Sequence, residues 1–346
     1  MELSGRRRRR RFALIVVALA LVVAGLLLRS WVGAQAGAAT VLATTLETPV
    51  LSSLARALTR EPRLEEATVA GTPTTIATPA GEGPWPALVF VNGATVEGRF
   101  QPTVRRLATG LARAGYLVLV PDVEGLSTGD LSERTLADTL AVAREGAARG
   151  RGRVGLVGVS TGATLALLAA RDPRLRDSVS MVSGIAPYSD LREVVRIATT
   201  GTYRDGERVR HVRADPFLLE VVTRSLGAAP GVAALLANRD PTRFDGLYAA
   251  LDPAVRTRID RLSPLRRGGE IAAPVELASG PSDRYFPLAE SRAVARVAPR
   301  LRVTVTEALD HADLVPSLAD LPDLARLDGF VVRSLRFAAG GRQGPR

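Results

Sequence analysis

The sequence predicts an α/β architecture: a doubly wound, mostly parallel sheet, interrupted by a helical cap insertion and preceded by an N-terminal transmembrane helix. Three observations predict it. Short apolar runs rich in β-branched residues alternate with helical patterns from about residue 64 onward. One stretch, roughly 189–268, breaks that rhythm with helical, arginine-rich sequence. Near the N-terminus, an uncharged apolar run follows directly on six consecutive arginines.

Residues 1–11 form a basic segment containing Arg6 to Arg11, and the apolar run extends from Phe12 to Leu28, with Arg29 closing it. At ~1.5 Å rise per residue this run spans roughly 25 Å as a helix, close to the thinnest hydrocarbon core. Trp31 suits the interfacial belt on the far side. The positive-inside rule keeps the arginines cytoplasmic and places the chain after residue 30 across the membrane. Residues 12–30 read as a retained anchor or as a secretory signal cleaved near Ala34-Gln35-Ala36. Arg9-Arg10-Arg11-Phe12 also fits a twin-arginine export signal, and a core helix behind a basic tail is the plain alternative. Residues 31–62 are rich in small residues, with Leu42, Leu46, Leu54 and Leu58 at helix-like intervals. They read as a linker with one amphipathic helix on the domain or bilayer surface.

The main domain is expected over 63–340. Residues 66–78, around Gly71-Thr72-Pro73, predict a hairpin. The runs 87–91, 116–120, 154–159, 179–182, 275–278 and 303–306 predict central parallel strands covered on both faces. Helical patterns over 100–114, 131–147, 161–171, 287–298 and 318–338 separate them. The insertion at 189–268 has no clear strand pattern and predicts a cap over the C-terminal edge of the sheet.

Composition narrows the function. A chain of 346 residues with 46% hydrophobic content can bury a sizeable core. All 46 basic residues are arginine, which in an alanine- and glycine-rich chain reads as coding bias rather than as a ligand-binding design. Much of the net charge of +11 sits in the N-terminal run. No basic stripe interleaved with aromatics follows it, so nucleic acid is not expected as a partner. The absence of cysteine excludes a disulfide framework, a thiolate metal site, a cysteine nucleophile and a lipidated cysteine anchor.

The chemistry centres on Gly158-Val159-Ser160-Thr161-Gly162, a G-x-S-x-G between the strand pattern 154–159 and the helical run Ala163 to Ala170. A strand turning sharply into a helix carries the serine at its apex in a strained conformation. Gly158 and Gly162 are needed because a Cβ at either place would clash in so tight a turn. The helix N-terminus offers free N–H groups and a positive dipole end to a developing oxyanion. The plain alternative is an ordinary turn in which Ser160 only caps the helix.

A serine at its normal pKa needs a base within hydrogen-bond reach. His311 follows the last strand run (303–309) in Ala308-Leu309-Asp310-His311-Ala312-Asp313, at the sheet edge shared with Ser160. His211, flanked by Arg210 and Arg213 within the insertion, has no strand beside it and no expected role. The base needs a carboxylate to hold its tautomer. Asp283, in Gly280-Pro281-Ser282-Asp283, lies one helix and one strand before His311. Asp310 and Asp313 share the loop of His311 and cannot easily reach back to its ring. Asp122 reads as a turn-fixing carboxylate for Val123-Glu124-Gly125. Two backbone donors should form an oxyanion hole: the N–H of Thr161, and one from Ala94 or Thr95 in the loop Asn92-Gly93-Ala94-Thr95.

The order Ser160, Asp283, His311, with a cap before the acid, resembles the α/β-hydrolase superfamily over about residues 64–340. Asp283 to Pro287, an Asp-x-x-x-Pro, looks like the acid loop of many members. Asn92-Gly93 stands where many members carry His-Gly, which keeps the glycine-dependent turn. The broad pattern looks like the dienelactone-hydrolase and prolyl-oligopeptidase side of the superfamily. The resemblance implies a serine hydrolase working through an acyl-enzyme, with no metal or organic cofactor. The expected activity is cleavage of a small-molecule or lipid-like carboxylic ester on the extracytoplasmic side of a membrane. A peptidase or acyltransferase using the same triad is the alternative, and a catalytically silent binding module is the alternative of another class.

Overall fold

The computed structural model describes residues 31–45, 49–314 and 321–340. The arginine run and the apolar segment 12–30 therefore lie outside the described residues. Among the described residues no helix is long and apolar enough to cross a membrane.

The chain opens with helix α1 (31–45) and α2 (Pro49–Leu58), followed by strands β1 (Arg63–Val69) and β2 (Thr72–Thr78). These strands form the expected hairpin, with Val69 paired to Thr72. Its two-residue turn places Ala70 at φ 49° and Gly71 at φ 85°, as the twist of a tight hairpin requires. The alternating core follows: β3 (Ala87–Val91), α3 (Pro102–Arg113), β4 (Leu117–Pro121), α4 (Glu133–Arg149), β5 (Val154–Val159), α5 (Thr161–Ala170) and β6 (Val179–Ile185). After the insertion come β9 (Val275–Ser279), α11 (Leu288–Ala293), β10 (Leu301–Val305), a small ribbon of β11 (Leu309–Asp310) and β12 (Asp313–Leu314), and α12 (Leu321–Ala338). Eight strands form one sheet in the order β1-β2-β4-β3-β5-β6-β9-β10. The hairpin joins antiparallel, and the strands from β4 to β10 run parallel.

The central strands are apolar throughout because both faces are covered. Leu88, Phe90, Val118, Val120 and Met181 pack with α1, α3 and α12 on one face. Val89, Val91, Leu119, Leu156 and Val182 pack with α4 and α5 on the other. The last strand is shorter than the sequence pattern suggests. It ends at Val305, and the apolar residues Ala308 and Leu309 belong to the turn and ribbon beyond it.

Of the stretch 31–62, expected as a linker with one amphipathic helix, residues 31–45 are helix and pack on the domain. Ala34, Ala38 and Val41, spaced at i, i+4 and i+7, are buried in the same cluster as Leu88, Phe90, Met181 and Leu335. Small residues allow the close approach: a Cβ on Gly110 would lie 3.2 Å from the Val41 Cα, and one on Gly37 would lie 3.1 Å from Leu335 Cδ1. Gln35 Nε2 donates to Asp328 Oδ2 at 2.7 Å and ties α1 to α12. Alanine and glycine make up much of this buried face, with Val41, so its apolar pattern in the sequence is weak.

The connection from β6 to β9 is the cap. It holds α6 (Leu191–Thr200), α7 (Pro216–Leu226), α8 (Val232–Ala237), α9 (Phe244–Ala249) and α10 (Pro253–Arg261), and also a hairpin of β7 (Thr202–Asp205) and β8 (Arg208–His211). That hairpin corrects the strandless reading. Every residue of β8 is exposed and two of its four are arginine, so no apolar alternation announces it. The two ends of the cap are clasped together at its root. Arg266 donates through Nε and Nη2 to both oxygens of Asp190, at 2.9 and 2.8 Å. Leu265 N donates to Ser189 O at 3.0 Å. Buried Glu290 of α11 accepts from Ser189 N, Ser189 Oγ and Asp190 N at 2.7, 2.7 and 3.0 Å. Within the cap, Asp245 accepts from Arg192, Arg196 and Arg204 at 2.7, 2.6 and 2.8 Å, so part of the arginine excess is neutralised internally.

Candidate active site

Ser160 ends β5 and occupies the N-cap position of α5 with φ 54° and ψ −126°. That is a costly conformation for a residue with a Cβ, of order 1–3 kcal/mol, and such strain persists only where the surroundings over-determine it. The neighbouring glycines show what enforces it. A Cβ on Gly158 would stand 2.5 Å from the Ala163 backbone, and one on Gly162 would run into the carbonyl oxygens of Val91 and Asn92. The serine makes no side-chain capping bond to the helix. The capping alternative therefore fails, because the hydroxyl points elsewhere.

It points to His311. Ser160 Oγ lies 2.8 Å from His311 Nε2, and His311 Nδ1 lies 2.8 Å from Asp283 Oδ2. With the proton on Nδ1, the imidazole donates to the carboxylate and accepts from the serine hydroxyl. Asp283 is aimed by its other oxygen, Oδ1, which accepts from the backbone N–H groups of Tyr285 and Phe286 at 2.8 and 2.9 Å. Its side chain is fully buried, so the ion pair with an imidazolium would be little screened by water. His311 sits in the turn between β11 and β12, where Asp310 pairs with Asp313, and takes φ 54°. That ribbon keeps both acidic neighbours in their own ladder and leaves Asp283 as the carboxylate on the ring. Tyr285 and Phe286 flank the imidazole, with ring centroids 4.5 and 5.4 Å away. Burial, followed by the Asp215 carboxylate, pushes the Tyr285 hydroxyl up to about 12. Asp215 also caps α7 by accepting from Phe217 N at 3.0 Å, so this tyrosine joins the acid loop to the cap.

The loop after β3 approaches the serine closely. A Cβ on Gly93 would lie 3.2 Å from Ser160 Cβ. Thr161 is the first residue of α5, so its N–H precedes the helical ladder and is open to an acceptor outside it. Ala94, Thr95, Ser160, Thr161 and His311 line one cavity of about 380 Å³. Asn92 is buried and donates from Nδ2 to its neighbour Gly93 O at 2.8 Å, a loop brace that the sequence pattern did not reveal. Asp122 holds a different loop from the one expected. Its Oδ2 accepts from Arg99 at 2.5 Å, and Arg99 also bonds Glu66 at 3.2 Å, so the pair secures the far end of the loop containing Gly93. His211 is exposed in β8, paired with Thr202.

The parallel sheet, the sharp turn at its centre and three side chains meeting beyond its C-terminal edge agree with a comparison at sequence level. A profile of the Alpha/beta hydrolase family matches residues 88–333. The chain belongs to this family. Solved structures with the same fold include a hormone-sensitive lipase from a metagenome library, with a TM-score of 0.53, 13% identity, and coverage of 81% of this chain and 86% of that one. The 2,6-dihydroxy-pseudo-oxynicotine hydrolase gives a TM-score of 0.51 at 18% identity, covering 87% and 76%. The Pyrococcus horikoshii acylaminoacyl peptidase gives 0.53 at 14% identity over 83% of this chain, which spans only 43% of that protein's length. No curated protein gives a significant match to the sequence. These likenesses concern the fold of this α/β hydrolase; its chemistry is read from its own side chains.

Proposed function

We propose that this α/β hydrolase cleaves carboxylic esters, with Ser160 as nucleophile, His311 as general base and then general acid, and Asp283 as the group that orients and charge-balances the imidazole. The observation that carries the reading is the continuous chain of two 2.8 Å contacts from Asp283 through His311 to Ser160, placed on a strained turn. Ser160 Oγ attacks the ester carbonyl carbon as its proton passes to His311 Nε2. The tetrahedral oxyanion is met by the N–H of Thr161 and by one from Ala94 or Thr95. The C–O bond to the alcohol breaks as His311 returns the proton to the leaving oxygen. Water, deprotonated by His311, then splits the acyl-enzyme to give the acid and free Ser160. Preorganised donors of this kind are worth about 10²–10³ in kcat each.

The arginine run and the apolar segment that follows it support a site on the extracytoplasmic side of a membrane, reached through a retained anchor or a cleaved signal. A direct comparison of p-nitrophenyl esters with aminoacyl anilides tests the reaction class. Esters should be turned over with an initial burst of p-nitrophenol equal to the enzyme concentration. Anilide turnover that outpaces the esters would make the protein a peptidase.

A further inference from the structure

The cavity that contains Ser160 continues well past the reacting atoms. Beneath the cap it is lined by Phe217, Leu218 and Val221 of α7. On the opposite side it passes down the α3/α12 face of the sheet. There its walls are Met181 from the strands, Leu107 and Leu111 of α3, Leu335 of α12, and Val41 and Leu42 of α1. The few hydroxyls in this deep part are spoken for within the protein. Ser183 Oγ and Ser334 Oγ bond each other at 2.8 Å, Ser334 also donates to Phe330 O at 2.9 Å, and Thr45 Oγ1 donates to Val41 O at 2.8 Å. A polar ligand group placed there would lose its water without gaining a partner, whereas a hydrocarbon chain loses nothing. The arm opens beside Ser160, so an acyl chain attached to the attacked carbonyl can enter it directly.

We propose that this arm holds the acyl chain of the substrate, and that helix α1 is the wall that sets the chain length. The ligand class is a medium- to long-chain aliphatic acyl ester. The inference rests on the ester-hydrolase reading. Residues 31–45 lie before the region matched by the family, 88–333. Helix α1 is a docked wall, held by the Gln35–Asp328 bond and by the close packing at Gly37 and Gly110. Leu42 is half-buried and packs near Leu327 and Phe330, so its side chain can be enlarged or trimmed with less strain than a core residue.

The experiment measures labelling rates of the full-length protein by alkyl fluorophosphonates of rising chain length, beside kcat/KM for p-nitrophenyl acetate, butanoate, octanoate and decanoate. Each methylene that enters an apolar arm should raise the rate about fourfold until the arm is full. Leu42→Trp should lower the ratio of decanoate to butanoate rates at least tenfold, and Leu42→Ala should move the optimum to longer chains. Leu107→Trp, on the facing wall, should act in the same direction as Leu42→Trp. Equal labelling by short and long probes in the wild type would overturn the acyl arm while leaving Ser160 as the nucleophile. An unchanged decanoate-to-butanoate ratio in folded Leu42→Trp and Leu107→Trp would remove the role of this wall. Failure of every probe to label would instead sink the ester-hydrolase reading itself.

Discussion

At the scale of the residue, the site is a set of conformations that only one environment makes tolerable. Ser160 and His311 both take φ 54°, one in a turn pinned by glycines and the other in the tip of a two-residue ribbon. Replacing Gly158 by alanine should therefore cost folding before it costs chemistry, because the new Cβ meets backbone 2.5 Å away. A collapse in soluble yield or a large fall in melting temperature checks this, and a native-like melting curve would refute it. Ser160→Ala and His311→Ala should keep the fold and lower kcat by about 10⁶, as in other serine triads. Asp283→Asn should cost about 10⁴, since the amide leaves Nδ1 without its carboxylate. The three side chains were legible in the sequence because each follows a recognisable strand run and their chain order is informative. Asn92, Tyr285 and Phe286 were not, because a brace on a neighbouring carbonyl and the packing of two rings on an imidazole leave no spacing signature. Asp122 was legible as a fixing carboxylate, but its partner Arg99 lies 23 residues away in sequence and only the fold brings them together.

At the scale of the element, the cap is attached through a buried acid. Burial pushes the Glu290 carboxyl up to about 7 from an ordinary 4.5, against the hydrogen bonds from Ser189 and Asp190 that favour its charge. The folded state thus keeps a proton that the unfolded chain releases above about pH 4.5. Its contribution to stability falls as pH rises toward 7, by at most about 1.4 kcal/mol per pH unit. Glu290→Gln retains an acceptor for the cap root but cannot ionise. Its stability relative to wild type should grow between pH 5 and about 7, measured by urea unfolding. Parallel pH profiles for the two proteins would contradict this account. The strands and most helices of the domain could be read from apolar periodicity. The β7–β8 hairpin escaped because every residue of β8 faces water, and the extent and docking of α1, within the stretch read as linker and amphipathic helix, escaped because much of its buried face is alanine and glycine.

At the scale of the whole molecule, the sheet order places three chain-distant loops over one edge, and the cap covers them. The export proposed from the arginine run and apolar segment before residue 31 is tested by fractionation. Full-length protein expressed with its N-terminus intact should sediment with membranes if the apolar run is a retained anchor, and should resist extraction with high salt. Release into the soluble extracytoplasmic fraction, with a new N-terminus near residue 36, would favour signal cleavage. Recovery in the cytoplasm would contradict the export reading in both forms. Whether Ser160 is the nucleophile is read from intact-mass analysis after treatment with a small fluorophosphonate. One adduct per chain is expected, mapped to the peptide containing Ser160 and absent from Ser160→Ala. A folded wild-type protein that acquires no adduct, or an adduct that persists in Ser160→Ala, would contradict it.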